Sequence, residues 1–290
     1  AFLRILLTGA SGFTGMHFAR YAECKGHTVI ALTSNLCDPD SLQAELAKIK
    51  PSHVLHLGAI SFVGHGSIRD FYDVNVVGTM NLLDALHRAE AAPEKLVLAS
   101  SGTVYGSAQT SPISEDLSPV PVNHYGMSKL AMEYMAKSFE SRFKIVYTRA
   151  FNYTGPGQDA SFVIPKLIHH FKIKADHVEL GNIDVEREFN DVRMVCEAYL
   201  RLLESKTAEG VYNLCSGRVH TLRSMIETLE KLSGHCLEVR VNPQFVRANE
   251  IQSLCGDPTR LLAETGPLTI PDLEDTLSWM LKESASEVGL

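Results

Sequence analysis

The sequence is short of basic charge: 27 Lys and Arg stand against 34 Asp and Glu, a formal net charge of −7. Without a basic surplus there is little to neutralise a run of phosphates, so nucleic acid is not expected as a partner. Long apolar runs are missing too. No stretch approaches the roughly 18–20 residues needed to cross a bilayer, so no membrane partner is expected. The chain reads at once into a strand and a glycine turn rather than a signal sequence, which points to the cytoplasm. The six cysteines contain no C-x-x-C pair and no short Cys/His spacing, so they read as small apolar residues and not as a disulfide framework. His53 and His56 come closest to a metal-ligand spacing, but they fall in an apolar strand with no carboxylate at ligand distance, and no metal is expected. Internal repeats and low-complexity linkers are absent.

What is present is 290 residues of ordinary globular composition, enough for one large core or two modest ones. Short β-branched and Leu-rich runs at 4–8, 28–33, 53–57, 95–100 and 144–149 alternate with helix-length segments at 15–25, 41–50, 71–91 and 124–143. This alternation predicts an α/β fold, a Rossmann-type doubly wound parallel sheet. Beyond residue 149 the pattern loosens into Gly/Pro-rich stretches with helices at 163–171, 192–205, 222–233 and 272–283. The expected division is a dinucleotide-binding domain over 1–160 with a returning segment near 185–215, including a strand at 211–214. Residues 161–290 then form mainly a smaller, discontinuous α/β substrate-binding lobe, too slight for a second independent core. Between residues 33 and 40 there is almost no room for a further strand, so the adenosine end of the sheet is expected to be trimmed.

The first strand runs into Gly9-Ala-Ser11-Gly12-Phe13-Thr14-Gly15 before a helix opens. Glycines so spaced allow a tight turn, a close approach of backbone to pyrophosphate and close helix–strand packing. The helix N-terminus adds free N–H groups and its dipole. In such folds an acidic side chain about 20 residues on accepts from the ribose 2′-OH of NAD. Here the end of the second strand is Thr33-Ser34-Asn35, with no carboxylate to repel a 2′-phosphate. NADPH is therefore the expected cofactor, with NADH possible because no Arg stands in this stretch and Asp38 is near enough to approach the adenosine.

Tyr125 and Lys129, at i and i+4, share one face of the helix at 124–143. The strand at 95–100 ends in Ser100-Ser101-Gly102-Thr103-Val104-Tyr105-Gly106, which puts a small hydroxyl at a carboxyl edge where open α/β sheets bind ligands. Ser100, Ser101 and Thr103 are all close enough to serve.

With these motifs the chain resembles the extended short-chain dehydrogenase/reductase family over essentially its whole length. The resemblance rests on Thr8–Gly15, His56-Leu57-Gly58-Ala59, Asn75-Val-Val-Gly78-Thr79, Ser100–Gly106, Tyr125-Gly-Met-Ser-Lys129 and Arg149-Ala-Phe-Asn152. It implies that Tyr125 exchanges a proton with the substrate oxygen, that Ser101 hydrogen-bonds that oxygen, and that Lys129 lowers the Tyr pKa and holds the nicotinamide ribose. It adds Leu57, Gly58, Ala59 and Asn75 to the glycine turn as cofactor contacts, and leaves Thr103 as second choice to Ser101. A phenol near pKa 10 needs such help to exchange protons at neutral pH. Family members that dehydrate sugar nucleotides carry a Glu after the hydroxyl; Gly102-Thr103 stands there instead, which disfavours elimination.

In the second half Asn152, in Asn152-Tyr-Thr-Gly155-Pro156-Gly157-Gln158, brings donors toward a phosphate. Arg187 and Arg247 are positioned to clamp a diphosphate as fork donors, with Glu250 accepting from a ribose hydroxyl. These segments are similar to those of the GDP-sugar branch, above all its GDP-4-keto-6-deoxy-D-mannose reductases, and Lys166 is grouped with the substrate contacts. The resemblance implies NADPH-dependent reduction of a GDP-linked keto-deoxy sugar to GDP-D-rhamnose. A sugar-nucleotide 4-epimerase with tightly held NAD would keep the same triad, and a non-catalytic dinucleotide sensor would be expected to have lost it. Family members commonly pair through the helices at 73–91 and 125–143, so a homodimer is expected.

Overall fold

Strand β1 (Arg4–Thr8) shows why the sheet is sandwiched: Ile5 and Leu7 point to one face and Leu6 to the other, and all three are fully buried. Period-two alternation with both faces apolar is the mark of a parallel sheet covered on both sides. The computed structural model describes residues 1–59 and 67–283. Strands β2 (Thr28–Ala31), β3 (His53–His56), β4 (Lys95–Ser101) and β5 (Ile145–Ala150) join β1 and the strand Gly210–Leu214 in one sheet. Its order is Gly210–Leu214, β5, β4, β3, β1, β2, and every pairing is parallel. The fold is the Rossmann-type α/β sheet. The strand at 211–214 expected to return is Gly210–Leu214, beside β5, and β2 is left as the edge, as the short 33–40 segment implied.

On one face lie α1 (Phe13–Cys24) and α7 (Val192–Glu204), whose Phe18, Ala22, Val195 and Tyr199 share a core with Ile5 and Leu7. On the other lie α2 (Pro39–Ile49), α4 (Thr79–Arg88) and α5 (His124–Lys137), whose Leu42, Leu82 and Met132 pack with Leu6. Helices α6 (Val163–Lys172), α8 (Leu222–Ser233) and α9 (Leu273–Lys282) build the second lobe with the parallel strands His177–Leu180 and Glu238–Val241. Leu167, Phe171, Met225, Leu229 and Leu277 form an apolar cluster there, separate from those of the sheet, so this lobe is more substantial than the sequence suggested. Among the described residues no helix is long and apolar enough to cross a membrane.

Three expected boundaries differ. The helix at 71–91 is α3 (Arg69–Tyr72), a π-helical turn (Asp73–Gly78) and α4 in succession, and the widened turn carries the buried Asn75. Helix α5 ends at Lys137 rather than 143; Phe139 and Phe143 still bury, but in turns closed by Phe143 N–H to Phe139 O at 3.0 Å. Strand β2 stops at Ala31 because the Thr33 and Ser34 amides turn away from the sheet to the carboxylate of Glu45.

Candidate active site

The glycine turn closes on itself and on β3. Gly9 has φ +69°, and a Cβ there would lie 3.0 Å from Gly58 N, so the ends of β1 and β3 meet backbone to backbone. A Cβ on Gly15 would lie 2.1 Å from Gly9 O, which excludes any side chain at the start of α1. Phe13 stacks on Tyr153 with centroids 6.0 Å apart, and Thr14 Oγ1 lies 2.7 Å from Tyr153 OH. Ser11 is exposed at the open edge.

Between the turn and α5 runs a buried relay. Gly58 N–H donates to Thr8 Oγ1 (2.8 Å), which lies 2.6 Å from His56 Nδ1; His56 Nε2 lies 2.8 Å from Thr79 Oγ1, whose proton goes to Asn75 O (2.8 Å). Because Thr79 has given its only proton, His56 must donate from Nε2 and accept at Nδ1 from Thr8. Burial, aided by the Lys129 charge, lowers the His56 pKa to about 3 and keeps the ring neutral. The chain continues as Asn75 Nδ2–H to Ser128 Oγ (3.0 Å) and Ser128 O–H to Tyr125 O (2.8 Å).

Strand alternation separates the three candidate hydroxyls. Ser100 Oγ donates to Glu133 at 2.6 Å, and Glu133 is held by both forks of the buried Arg149 (2.8 and 3.1 Å), so Ser100 belongs to a structural network. Ser101 faces the other way, toward Tyr125, near enough to act on its phenol. Thr103 gives both its N–H (3.1 Å) and its hydroxyl (2.8 Å) to Ser101 Oγ. Lys129 is buried, its Nζ donating to Ala99 O at 2.9 Å and lying 5.9 Å from the centre of the Tyr125 ring. Burial lowers the Lys129 pKa to about 8. The expectation that Lys129 depresses the Tyr125 pKa is not met in this structure. Burial pushes Tyr125 up, with Ser101 opposing it, so in this structure the phenol stays protonated and is a weaker acid than a free phenol.

In the second lobe Arg187, Arg247 and Glu250 come within electrostatic reach of one another; burial lowers the Arg187 pKa, with Glu250 raising it and Arg247 lowering it. Arg187 Nη1 donates to Glu186 O at 2.7 Å. Glu250 Oε2 is buried and accepts no hydrogen bond among the described residues. Lys166 Nζ donates to Glu179 O at 2.7 Å and lies 5.1 Å over the exposed ring of Phe245. Asn152 accepts from Asn190 N–H through its backbone (2.9 Å), with its side chain exposed.

At the edge of the sheet one reading is corrected. Residues 33–35 carry no carboxylate, but the chain brings one to them: Glu45 of α2 accepts from Thr33 N–H (2.9 Å), Thr33 Oγ1 (2.8 Å), Ser34 N–H (2.8 Å) and Ser34 Oγ (2.7 Å). Asn35 Oδ1 accepts from Cys37 N–H (2.8 Å), and Asp38 caps α2 by accepting from Ser41 N–H, so Asp38 serves the helix.

Residues 5–215 match the model of the NAD dependent epimerase/dehydratase family. The chain belongs to this family. It is 36% identical over 270 residues to a GDP-6-deoxy-D-talose 4-dehydrogenase of Aggregatibacter actinomycetemcomitans, covering 91% of this chain and 92% of that one. It is 35% identical to a GDP-6-deoxy-D-mannose reductase of Pseudomonas aeruginosa, with 98% of each covered. The structure of RMD from Pseudomonas aeruginosa complexed with NADPH superposes with a TM-score of 0.88 at 33% identity, covering 96% of this chain and 97% of that one. This epimerase/dehydratase family member is accordingly an NAD(P)-dependent oxidoreductase acting on sugar nucleotides, and the extended short-chain dehydrogenase/reductase resemblance holds.

A nicotinamide dinucleotide fits the residues present. Helix α1 starts at Gly12 with no side-chain cap and no acidic residue in its first turn, which leaves its N–H groups and dipole for a pyrophosphate. Sequence reasoning missed Glu45, the Thr8–His56–Thr79 relay and Glu188. Glu188 is buried and accepts from Ser216 N–H (2.8 Å), Asn190 (2.9 Å) and Gly256 N–H (2.6 Å), tying two loops to the Arg187 strand. Its signal in the sequence is only its place beside Arg187.

Proposed function

We propose that the chain reduces a nucleotide-linked 4-keto-6-deoxy sugar with NADPH, taking GDP-4-keto-6-deoxy-D-mannose to GDP-D-rhamnose. The observation that carries this reading is Ser101 facing Tyr125 with Lys129 one turn along, and no carboxylate at Gly102-Thr103 to drive an elimination. A bound NADPH supplies hydride at its nicotinamide. Ser101 then orients the substrate C4 oxygen, Tyr125 protonates it as charge develops, and Lys129 replaces the Tyr125 proton and binds the ribose. The glycine turn (Gly9, Ser11, Gly12, Phe13, Thr14, Gly15), the β3 end (Leu57, Gly58, Ala59) and Asn75 line the cofactor, with Thr33, Ser34 and Asn35 at the adenosine. Arg187 and Arg247 hold the diphosphate, Glu250 Oε2 takes a ribose hydroxyl, and Lys166 and Asn152 complete the substrate contacts. The GDP-6-deoxy-mannose reductase and GDP-6-deoxy-talose dehydrogenase relatives support the guanine nucleotide.

The talose relative also favours a second reading, in which hydride reaches the other face of the ketone and gives GDP-6-deoxy-D-talose. Incubation with NADPH and GDP-, UDP- and dTDP-4-keto-6-deoxy sugars, with product C4 configuration read by NMR, tests both. NADPH consumption confined to the GDP sugar is expected. Tyr125→Phe is expected to lower kcat about 10²–10⁴-fold with cofactor affinity unchanged; near-normal turnover would overturn the mechanism.

We also propose a homodimer through the helices of 73–91 and 125–143. Leu83, Leu86, Met132 and Phe139 are spent on the protomer's own core, but Val77, Met80, Met127 and Tyr134 remain exposed along α4, α5 and the π-turn. A monomeric mass by light scattering at micromolar concentration would refute it.

A further inference from the structure

We propose that Glu45 selects the cofactor: its carboxylate occupies the Thr33 and Ser34 donors that a ribose 2′-phosphate would use, so a 2′-hydroxyl is admitted with Glu45 in place and a 2′-phosphate only once Glu45 has left. The proposal rests on the dinucleotide reading of the glycine turn.

Position comes first. In a dinucleotide-binding sheet the ribose of the adenosine lies at the carboxyl end of the strand after the glycine turn, where an acidic side chain usually accepts from the 2′-OH. Here that strand is β2, the edge of the sheet, and the residues beyond it are Thr33 and Ser34. Two amides and two hydroxyls converge there, a donor set made for an anion. The anion they hold is Glu45, which both of its oxygens place within 3.2 Å of Thr33 N.

Charge comes second. Burial works to raise the Glu45 pKa, and the bonds from Thr33 and Ser34 outweigh it, so the group is ionised at neutral pH. Among the described residues no ion pair reaches Glu45, and the donors that hold its carboxylate are the neutral Thr33 and Ser34 groups. A phosphate arriving at the same donors therefore meets an uncompensated like charge, and one of the two must give up its hydrogen bonds. A 2′-hydroxyl carries a proton and can donate it to the carboxylate where it stands.

Reach comes third. Glu45 sits in the second turn of α2, whose start is fixed by the Asp38 cap, with Leu42 and Leu46 buried on either side of it in the core. The helix is thus anchored, while the Glu45 side chain is half-exposed, so its departure would cost the bonds from Thr33 and Ser34 but no core packing. Selection is a matter of one side chain leaving a fixed frame.

The test is cofactor affinity, read by fluorescence titration of NADPH and NADH, with 2′,5′-ADP and 5′-AMP as competitors, on wild type, Glu45→Gln and Glu45→Ala. Glu45→Gln keeps an acceptor for the loop and removes the charge. It is expected to lower Kd(NADPH)/Kd(NADH) at least about tenfold, with 2′,5′-ADP gaining on 5′-AMP in parallel. An unchanged ratio, or equal weakening of both dinucleotides in both variants, would overturn the proposal and leave Glu45 as a loop brace. Wild type that binds neither dinucleotide would instead overturn the reading of the glycine turn, and this inference with it.

Discussion

Thr103 spends its hydroxyl on Ser101: Thr103 Oγ1 donates to Ser101 Oγ at 2.8 Å, and the Thr103 amide donates to the same oxygen at 3.1 Å. With its oxygen saturated by two donors, Ser101 has its own proton left to give, and it faces Tyr125. On the proposed mechanism Thr103 is thereby a positioning residue for the hydroxyl that would meet the substrate.

Thr103→Val keeps the shape and the amide but loses one donor to Ser101. We expect kcat to fall about 5–20-fold with KM nearly constant, and Thr103→Ser to restore it. An equal change in KM and kcat, or no rescue by serine, would show that Thr103 only shapes the pocket.

His56 offers a prediction in pH. Replacement by Phe strands the Thr8 and Thr79 hydroxyls, at an expected cost of about 2–4 kcal/mol at pH 7 by urea denaturation. The folded pKa of about 3 lies below the ordinary 6.5, so the unfolded chain binds the proton first as pH falls. The stability owed to neutral His56 is complete above pH 6.5 and is lost toward pH 3. The wild-type advantage over His56→Phe should therefore shrink by about 2 kcal/mol between pH 7 and pH 5. An advantage that does not change over that range would mean the ring titrates normally.

Glu133 and Arg149 are both buried and joined at 2.8 Å. Glu133→Met leaves a guanidinium buried without its carboxylate, and an expected loss of about 3–5 kcal/mol in unfolding free energy. The double variant Glu133→Met with Arg149→Met removes both charges and should lose clearly less than the two single losses summed. Additive losses would show that the pair is not coupled.

The sheet was legible because burial on both faces leaves strands as short unbroken apolar runs, as in Ile5-Leu6-Leu7 and Val54-Leu55, and because helix α8 carries its apolar residues on one side. Tyr125 and Lys129 were legible because an i, i+4 pair needs only its own helix to come together. The π-turn at Asp73–Gly78 was not, since a widened turn keeps the local pattern of a helix and is set by how Asn75 seats against Ser128. The resemblance already pointed to Ser101; what needed the strand placed in its sheet was the physical difference between the neighbours, Ser100 bonding Glu133 while Ser101 faces Tyr125.

By itself the sequence determined the order of strands and helices, the glycine turn and the Tyr125–Lys129 pair, all of which follow from residues near one another in the chain. Tertiary structure alone decided the rest. It brought Arg187, Arg247 and Glu250 to one place, left Glu250 Oε2 without a hydrogen bond among the described residues, made His56 a neutral relay and delivered the Glu45 carboxylate to Thr33 and Ser34. The physical reason is that hydrogen bonds and charges act through space, and a donor at residue 33 is satisfied by whichever acceptor the packing of α2 sets beside it.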